Sequence, residues 1–255
     1  MLKDMVNIMS FIDQSLCTGC KTCLLFCPDD AIDYLDGKCK VDPKQCTLCG
    51  CCENSCPFGA IHPTTDLTDL QIFQQTFGDP RGSSVTGGNA GRGGREIKTL
   101  DVKPTLKPDY FSICLDMGRP GVGLYLRDAE KIITALMAAG MEFAEGDFPL
   151  ATIIPDRTTG KFRPDCLDVH MHSLLTEGDF HKSKLPDILK ALKEVSTEID
   201  TVLCPGLILP VDGNIENEEV LSCFDDLGIP RPVRSKINVG LGKPYSPDLS
   251  RLPPL

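Results

Sequence analysis

The sequence contains no tryptophan and only four tyrosines, and aromatics make up 6% of its 255 residues. A surface on which nucleic-acid bases could stack has little to be built from. Positive charge is also short: 26 lysines and arginines face 36 acidic residues, for a net charge of −10. That balance argues against nucleic acid or an anionic membrane as partner. No stretch approaches the roughly 18–20 apolar residues that cross a bilayer, so no membrane span is expected. Met1–Phe11 holds Lys3, Asp4 and Asn7 and lacks a long apolar run, so it does not read as a signal peptide. A cytoplasmic protein is the expectation. A P-loop, a G-x-S-x-G elbow and a dinucleotide fingerprint are all missing, so no catalytic site of its own is expected.

What the chain has in excess is cysteine, 14 in all. Ten lie between Cys17 and Cys56; Cys114, Cys166, Cys204 and Cys223 are scattered and read as core filler. A dense cysteine run suits a disulfide framework in a short secreted chain, and metal in a reducing cytoplasm. The dense region also repeats itself. Phe11–Ile32 reads FIDQSLCTGCKTCLLFCPDDAI and Val41–Ile61 reads VDPKQCTLCGCCENSCPFGAI. Both carry C-x2-C-x2-C-x3-C-P, then Ala-Ile three residues after the proline, which marks duplication of one structural unit.

An iron–sulfur cube offers four iron corners, each needing a thiolate. Two-residue gaps let one tight loop direct three sulfurs at one cube, and the fourth cysteine of each run lies beyond that loop, where it reaches the other cube. Cluster I is therefore expected to take Cys17, Cys20, Cys23 and Cys56, and cluster II Cys46, Cys49, Cys52 and Cys27. Structural zinc fits poorly, because its knuckles pair two ligands each.

Cys17–Pro28 and Cys46–Pro57, with Ala31-Ile32, Ala60-Ile61 and the hairpin Lys38–Pro43 between, give residues 9–63 a clear family likeness. The segment resembles bacterial-type ferredoxins with two [4Fe–4S] clusters. The resemblance implies a relay of single electrons at low potential. Two cysteines depart from the pattern, Cys39 and Cys51. Both read as small packing residues; the alternative for Cys51 is a substitute ligand when a cluster is damaged. Small residues such as Gly19, Thr22, Thr47 and Gly50 let backbone N–H groups approach the sulfurs and tune the potential. Residues 1–77 hold ten acids against five bases, which calls for a basic surface on the docking partner. Clusters near a surface are oxygen-sensitive, so an anaerobic host is expected.

At this length two domains are the natural division. Four segments are expected: a two-cluster domain at 1–63, a short helix and glycine-rich linker at 64–109, an α/β domain at 110–209 and a tail at 210–255. Asp66–Phe77 reads as the helix, and Gly78–Gly94 as a flexible linker or an arm that orders on a partner. The α/β segment reads as strand Tyr110–Asp116, helix Arg127–Ala139, strand Ala151–Pro155, strand Cys166–Leu175, helix Lys184–Val195 and strand Asp200–Leu209. That βαββαβ order is the split-βαβ plait, similar in topology to ACT-like ligand-sensing folds. The fold class is therefore α+β. Glu216–Leu227 reads as one more helix, followed by a proline-rich extended arm.

Three further features bear on function. Gly118, Gly121 and Gly123 in MGRPGVG read as a tight strand-to-helix connection or a ligand loop. His170 and His172 alternate on the predicted strand and share a face, as a plain strand face or half a metal site. The paired acids Glu218-Glu219 and Asp225-Asp226 look like solvated faces. The reading that best accommodates all of this is an electron-transfer subunit that docks on a larger oxidoreductase as a hetero-oligomer. The competing reading is a redox-linked sensor whose ACT-like domain binds a small metabolite.

Overall fold

The computed structural model describes residues 11–62, 67–78, 106–118, 122–143, 149–209 and 217–231. The glycine-rich stretch beyond Gly78 and the proline-rich arm beyond Arg231 lie outside the described residues, as does Met1–Ser10.

The N-terminal unit is two copies of one small motif. Its elements are β1 (Phe11–Ile12), α1 (Thr22–Phe26), β2 (Ile32–Leu35), β3 (Lys38–Val41), α2 (Cys51–Ser55) and β4 (Ile61–His62). The outer strands β1 and β4 pair antiparallel, Ile12 opposite Ile61, so the ends of the duplicated stretch close on each other. Strands β2 and β3 form a hairpin, Ile32 opposite Val41, through a turn at Asp36 and Gly37, both at positive φ. Two successive positive φ values match the twist of the hairpin strands. The duplication extends to backbone geometry. Gly19 and Leu48 occupy equivalent left-handed positions at φ 70° and 56°, Lys21 and Gly50 at 64° and 71°, Asp30 and Gly59 at 50° and 59°. In each pair one copy has glycine where the other strains a bulkier residue.

The helix α3 (Asp69–Gly78) starts at a capping box, in which the Thr68 hydroxyl accepts from the Gln71 N–H at 3.3 Å and the Gln71 side chain accepts from the Thr68 N–H at 2.9 Å. Its buried Leu70 and Phe73 pack in the C-terminal core, so this helix is part of that unit's packing.

The C-terminal unit contains β5 (Tyr110–Met117), β6 (Leu124–Tyr125), α4 (Leu126–Ala138), β7 (Glu142–Phe143), β8 (His170–Met171), β9 (Leu174–His181), α5 (Leu185–Val195), β10 (Leu203–Ile208) and α6 (Glu218–Asp226). Four strands make one sheet in the order β10-β5-β9-β7, every neighbouring pair antiparallel. Alternation decides which face is buried: Phe111, Ile113, Leu115 and Met117 of β5 and Leu174, Thr176, Gly178 and Phe180 of β9 point inward. Helices α4 and α5 cover that face. Ala129, Ile132, Ile133 and Leu136 line one stripe and Ile188, Leu189, Leu192 and Val195 the other.

Two strands of the sequence reading are misplaced. The second was expected at Ala151–Pro155, but Pro149–Thr152 is a 3-10 turn and the paired strand is the two-residue β7. Leu150, Ile153 and Ile154 are buried at turn spacing, so a run that looks extended buries its apolar side chains without joining the sheet. The third strand was expected at Cys166–Leu175, but it starts at Leu174 and runs to His181. Pro164 opens a 3-10 turn through Cys166, and the carbonyls of Leu167 and Val169 accept from Arg127 and Leu126 at the start of α4, so this stretch serves the helix.

Replacing the fully buried Ile132 with alanine should cost about 2–5 kcal/mol through lost burial and a cavity. The denaturation midpoint of the cluster-loaded chain reads it. Gly178→Ala should also destabilise, because its Cβ would fall 2.8 Å from the Glu142 carbonyl and nearer still to Met141. Glu142→Ala, at an exposed position of the neighbouring strand β7, should leave the midpoint nearly unmoved.

Candidate metal centres

The duplicated backbone surrounds two cavities. Cys17, Cys20 and Cys23 of the first run and Cys56 of the second line one, of about 290 Å³. Cys46, Cys49 and Cys52 of the second run and Cys27 of the first line the other, of about 330 Å³. The structure thus brings together the same two sets of four that the spacing suggests. The exchange has a local cause. Between the third and fourth cysteine of each run lies one helical turn, α1 or α2, whose next residue, Cys27 or Cys56, returns to extended backbone and carries its sulfur across.

The Ala-Ile pair repeated after each C-P has a job at this point. The N–H of Ala31 donates to the Cys27 sulfur at 3.2 Å, and that of Ala60 to the Cys56 sulfur at 3.3 Å. Both alanines are buried, and the isoleucines that follow open β2 and β4. Sulfur as hydrogen-bond acceptor favours the thiolate, the form that binds iron.

Gly19 permits a close approach. A Cβ there would collide with the carbonyl of Gly37 at the tip of the hairpin, so only glycine lets the hairpin close over the first loop. Lys38 fastens the same contact, its ammonium donating to the carbonyls of Gln14 at 3.1 Å and of Cys17.

The two sets of thiols differ electrostatically. The backbone N–H of Cys39 holds the Cys17 thiol below its ordinary value, and the Thr22 hydroxyl, 3.4 Å from the Cys20 sulfur, does the same there. Burial pushes Cys23 up to about 12. In the second set burial raises Cys46 to about 12 and Cys52 to about 11, and lifts Cys49 as well. To hold iron, these thiols would have to give up their protons, because only the thiolate ligates.

Each cavity is lined by four cysteine sulfurs, as many as a cube has iron corners.

Over residues 16–60 the chain matches a 4Fe–4S dicluster domain. It is 43% identical over 53 residues to an uncharacterized ferredoxin of Methanocaldococcus jannaschii, covering 86% of that protein and 20% of this chain. The chain belongs to the ferredoxins. Over 51 residues this ferredoxin is also 39% identical to the pyruvate synthase subunit PorD of Methanothermobacter marburgensis, covering 59% of that subunit and 20% of this chain. It is 43% identical over 52 residues to the indolepyruvate oxidoreductase subunit IorA of Pyrococcus horikoshii, covering 8% of that subunit and 20% of this chain. It therefore spans less than two thirds of either subunit. Each of these matches spans 51 to 53 residues of this chain.

The remaining candidates resolve differently from the sequence reading. Cys39 is buried beside the first cavity, as a packing residue should be. Cys51 is exposed, so it is not a packing residue, and it sits within hydrogen-bond reach of Cys49. His170 and His172 do not converge on a metal. The Nδ1 of His170 lies 2.8 Å from the Gln45 carbonyl and its ring packs on Tyr125, while the Nδ1 of His172 lies 3.5 Å from an Asp29 carboxylate oxygen. Residues 119–121 of the glycine loop lie outside the described residues. Gly123 presses on the His170 ring, where a Cβ would stand 2.6 Å from Nε2.

Sequence reasoning missed this seam between the two units. The Gln74 side-chain amide donates to the Cys46 carbonyl at 3.0 Å and to the His170 carbonyl at 2.5 Å, bridging them. Asp29 lines the second cavity, its side chain almost fully buried. Burial alone would raise its carboxyl, but hydrogen bonds from His172 and from the Thr47 hydroxyl at 2.5 Å outweigh this and hold it below the usual carboxylate range. The one sequence signal was Asp29 itself, an acid where the other repeat has Phe58.

Gly19→Ala should block closure of the hairpin and cut iron and acid-labile sulfide from about eight to about four per chain. Gly37→Ala meets open space and should keep about eight, although its φ of 82° makes it a strained substitution.

Proposed function

We propose that this ferredoxin is the electron-transfer subunit of a larger oxidoreductase and relays single electrons through two [4Fe–4S] clusters. Cys17, Cys20, Cys23 and Cys56 hold cluster I; Cys46, Cys49, Cys52 and Cys27 hold cluster II. The observation that carries this is the sorting of eight sulfurs into two cavities of four, each drawn from both runs. Each bound cluster supplies a one-electron redox couple. The chain's own residues supply the rest: thiolates at the irons, the Ala31 and Ala60 N–H groups on two of the sulfurs, and apolar walls that limit water. Such contacts set where in the wide iron–sulfur range each potential falls.

Subunit status rests on the relatives PorD and IorA, named as subunits of a pyruvate synthase and an indolepyruvate oxidoreductase, and on the C-terminal unit, which a free carrier does not need. The division proposed is a cluster domain at 1–63, a segment at 64–109 whose helix α3 packs on the C-terminal core, a C-terminal domain at 110–209 and a docking tail at 210–255. The acid excess of the first domain suits a partner with a basic docking surface and a hetero-oligomer. No described helix is long and apolar enough to cross a membrane, and the cytoplasm of an anaerobic host is the proposed location. No catalytic site of the chain's own is part of this reading.

A second reading draws on the sheet order. Counted along the chain, its strands lie fourth, first, third, second, all antiparallel, as in a βαββαβ plait of the ACT-like kind. In this reading the C-terminal domain binds a small metabolite and the chain senses redox state.

Anaerobically purified protein should take up about two electrons per chain in a reductive titration, one for each cluster. Bound zinc, or no uptake, refutes the relay. Cys20→Ser and Cys49→Ser should each halve the uptake. Amino acids that raise the melting temperature of the full chain favour the sensor.

A further inference from the structure

The duplication provides an internal comparison. The repeat sets Leu16 against Gln45, Thr18 against Thr47, Gly19 against Leu48, Cys20 against Cys49 and Phe58 against Asp29. On the first side Leu16 is 46% and Phe58 50% exposed, and Thr18 and Cys20 are exposed as well. On the second side Thr47 is 1% and Leu48 6% exposed.

The difference is made by the C-terminal unit. His170 takes the Gln45 carbonyl, Gln74 the Cys46 carbonyl and His172 the Asp29 carboxylate. The end of α3 lies so close that a Cβ on Gly78 would stand 2.9 Å from the Thr47 carbonyl. On the first loop the Cys17 carbonyl, counterpart of Cys46, is taken by Lys38 of the β2–β3 hairpin, and Leu16, Thr18 and Cys20 beside it stay exposed.

We infer that the C-terminal unit makes the two clusters inequivalent, closing cluster II and leaving the surface around Leu16, Thr18, Cys20 and Phe58 as the face on which a one-electron redox protein with a basic rim docks. This rests on the electron-relay reading above. Phe58 both lines the first cavity and is half exposed, so a partner seated on it lies one side chain from cluster I. Apolar exposure concentrates on this unit: of the seven large apolar side chains exposed among the described residues, six fall between Leu16 and Phe58. An apolar centre with charge around it is the usual make-up of a docking face. Residues 11–62 hold seven acids against four bases before any cluster charge, which selects a cationic partner.

Two measurements test this. Under anaerobic conditions the ferrous chelator bathophenanthroline disulfonate should strip iron in two phases, about half fast and half about tenfold slower. Cys20→Ser, which removes cluster I, should keep only the slow phase. Gln74→Ala and His172→Ala should each speed the slow phase and leave the fast one unchanged. A single phase, or a slow phase lost with Cys20→Ser, overturns the inference. In the second measurement, reduced protein is mixed with cytochrome c, a small basic one-electron acceptor, at low salt. Leu16→Lys should slow the transfer about tenfold, and Ser222→Lys on α6 should change it less than about twofold. Equal effects at the two positions overturn the docking face. Protein that holds no iron refutes the relay itself; iron-loaded protein with equivalent clusters refutes only the asymmetry.

Discussion

Neither cavity can be closed by one cysteine run. Each needs its fourth sulfur from the other, and the rest of the N-terminal unit follows from that exchange. The two loops must lie side by side, so the ends of the duplicated stretch pair as β1 and β4. The fourth cysteine must leave a helix turn and swing across, so each run has three left-handed backbone positions. The cost of those positions falls on Lys21, Asp30 and Leu48, where the equivalent residue is glycine. Strain of that kind persists where the surroundings over-determine the conformation. Here the convergence of four sulfurs does so.

The C-terminal unit attaches to this frame through polar contacts at one of the two loops. Gln74, His170 and His172 each meet an oxygen of the second loop or of Asp29. Hydrogen bonds of this sort contribute about 0.5–1.5 kcal/mol each, and removing one partner from a buried site costs more. The seam is therefore modest in energy and specific in geometry. It reaches one copy of the duplicated motif, while Lys38 of the β2–β3 hairpin holds the other, so two nearly identical loops have different surroundings.

The site was more legible in the sequence than the fold. Cysteine spacing acts at a range of two or three residues, and the repeat supplied a second copy as a check, so both sets of four could be written down from Cys17–Pro57. Strands Tyr110–Met117 and Leu203–Ile208 and helices Leu126–Ala138 and Leu185–Val195 were legible because strong periodicity and their sheet partners agree. The stretch from Met141 to Leu174 was not. Its apolar residues alternate like a strand at Cys166–Met171, yet their backbone bonds go to the start of α4. The true strand from Leu174 carries Glu177 and Asp179 on its outer face, beyond the expected end at Leu175. The seam was invisible for another reason. Gln74 and His170 lie 96 residues apart, and no local pattern records which carbonyl a side chain will meet.

The same chemistry bears on what holds the N-terminal unit folded. Its buried core is small, and alongside Ile12, Ile32, Ala60 and Ile61 half of it is cysteine: Cys17, Cys23, Cys39 and Cys52. A unit of this size buries too little apolar surface to be robust unaided. Three of those four cysteines line the cavities as members of the two sets of four. Core and binding site are therefore the same atoms. When iron takes the sulfurs, ligand binding energy becomes folding energy. When it does not, several thiols remain buried with nothing to ligate. Folding of this unit and cluster assembly are then coupled, while the C-terminal unit has an apolar core of its own under α4 and α5.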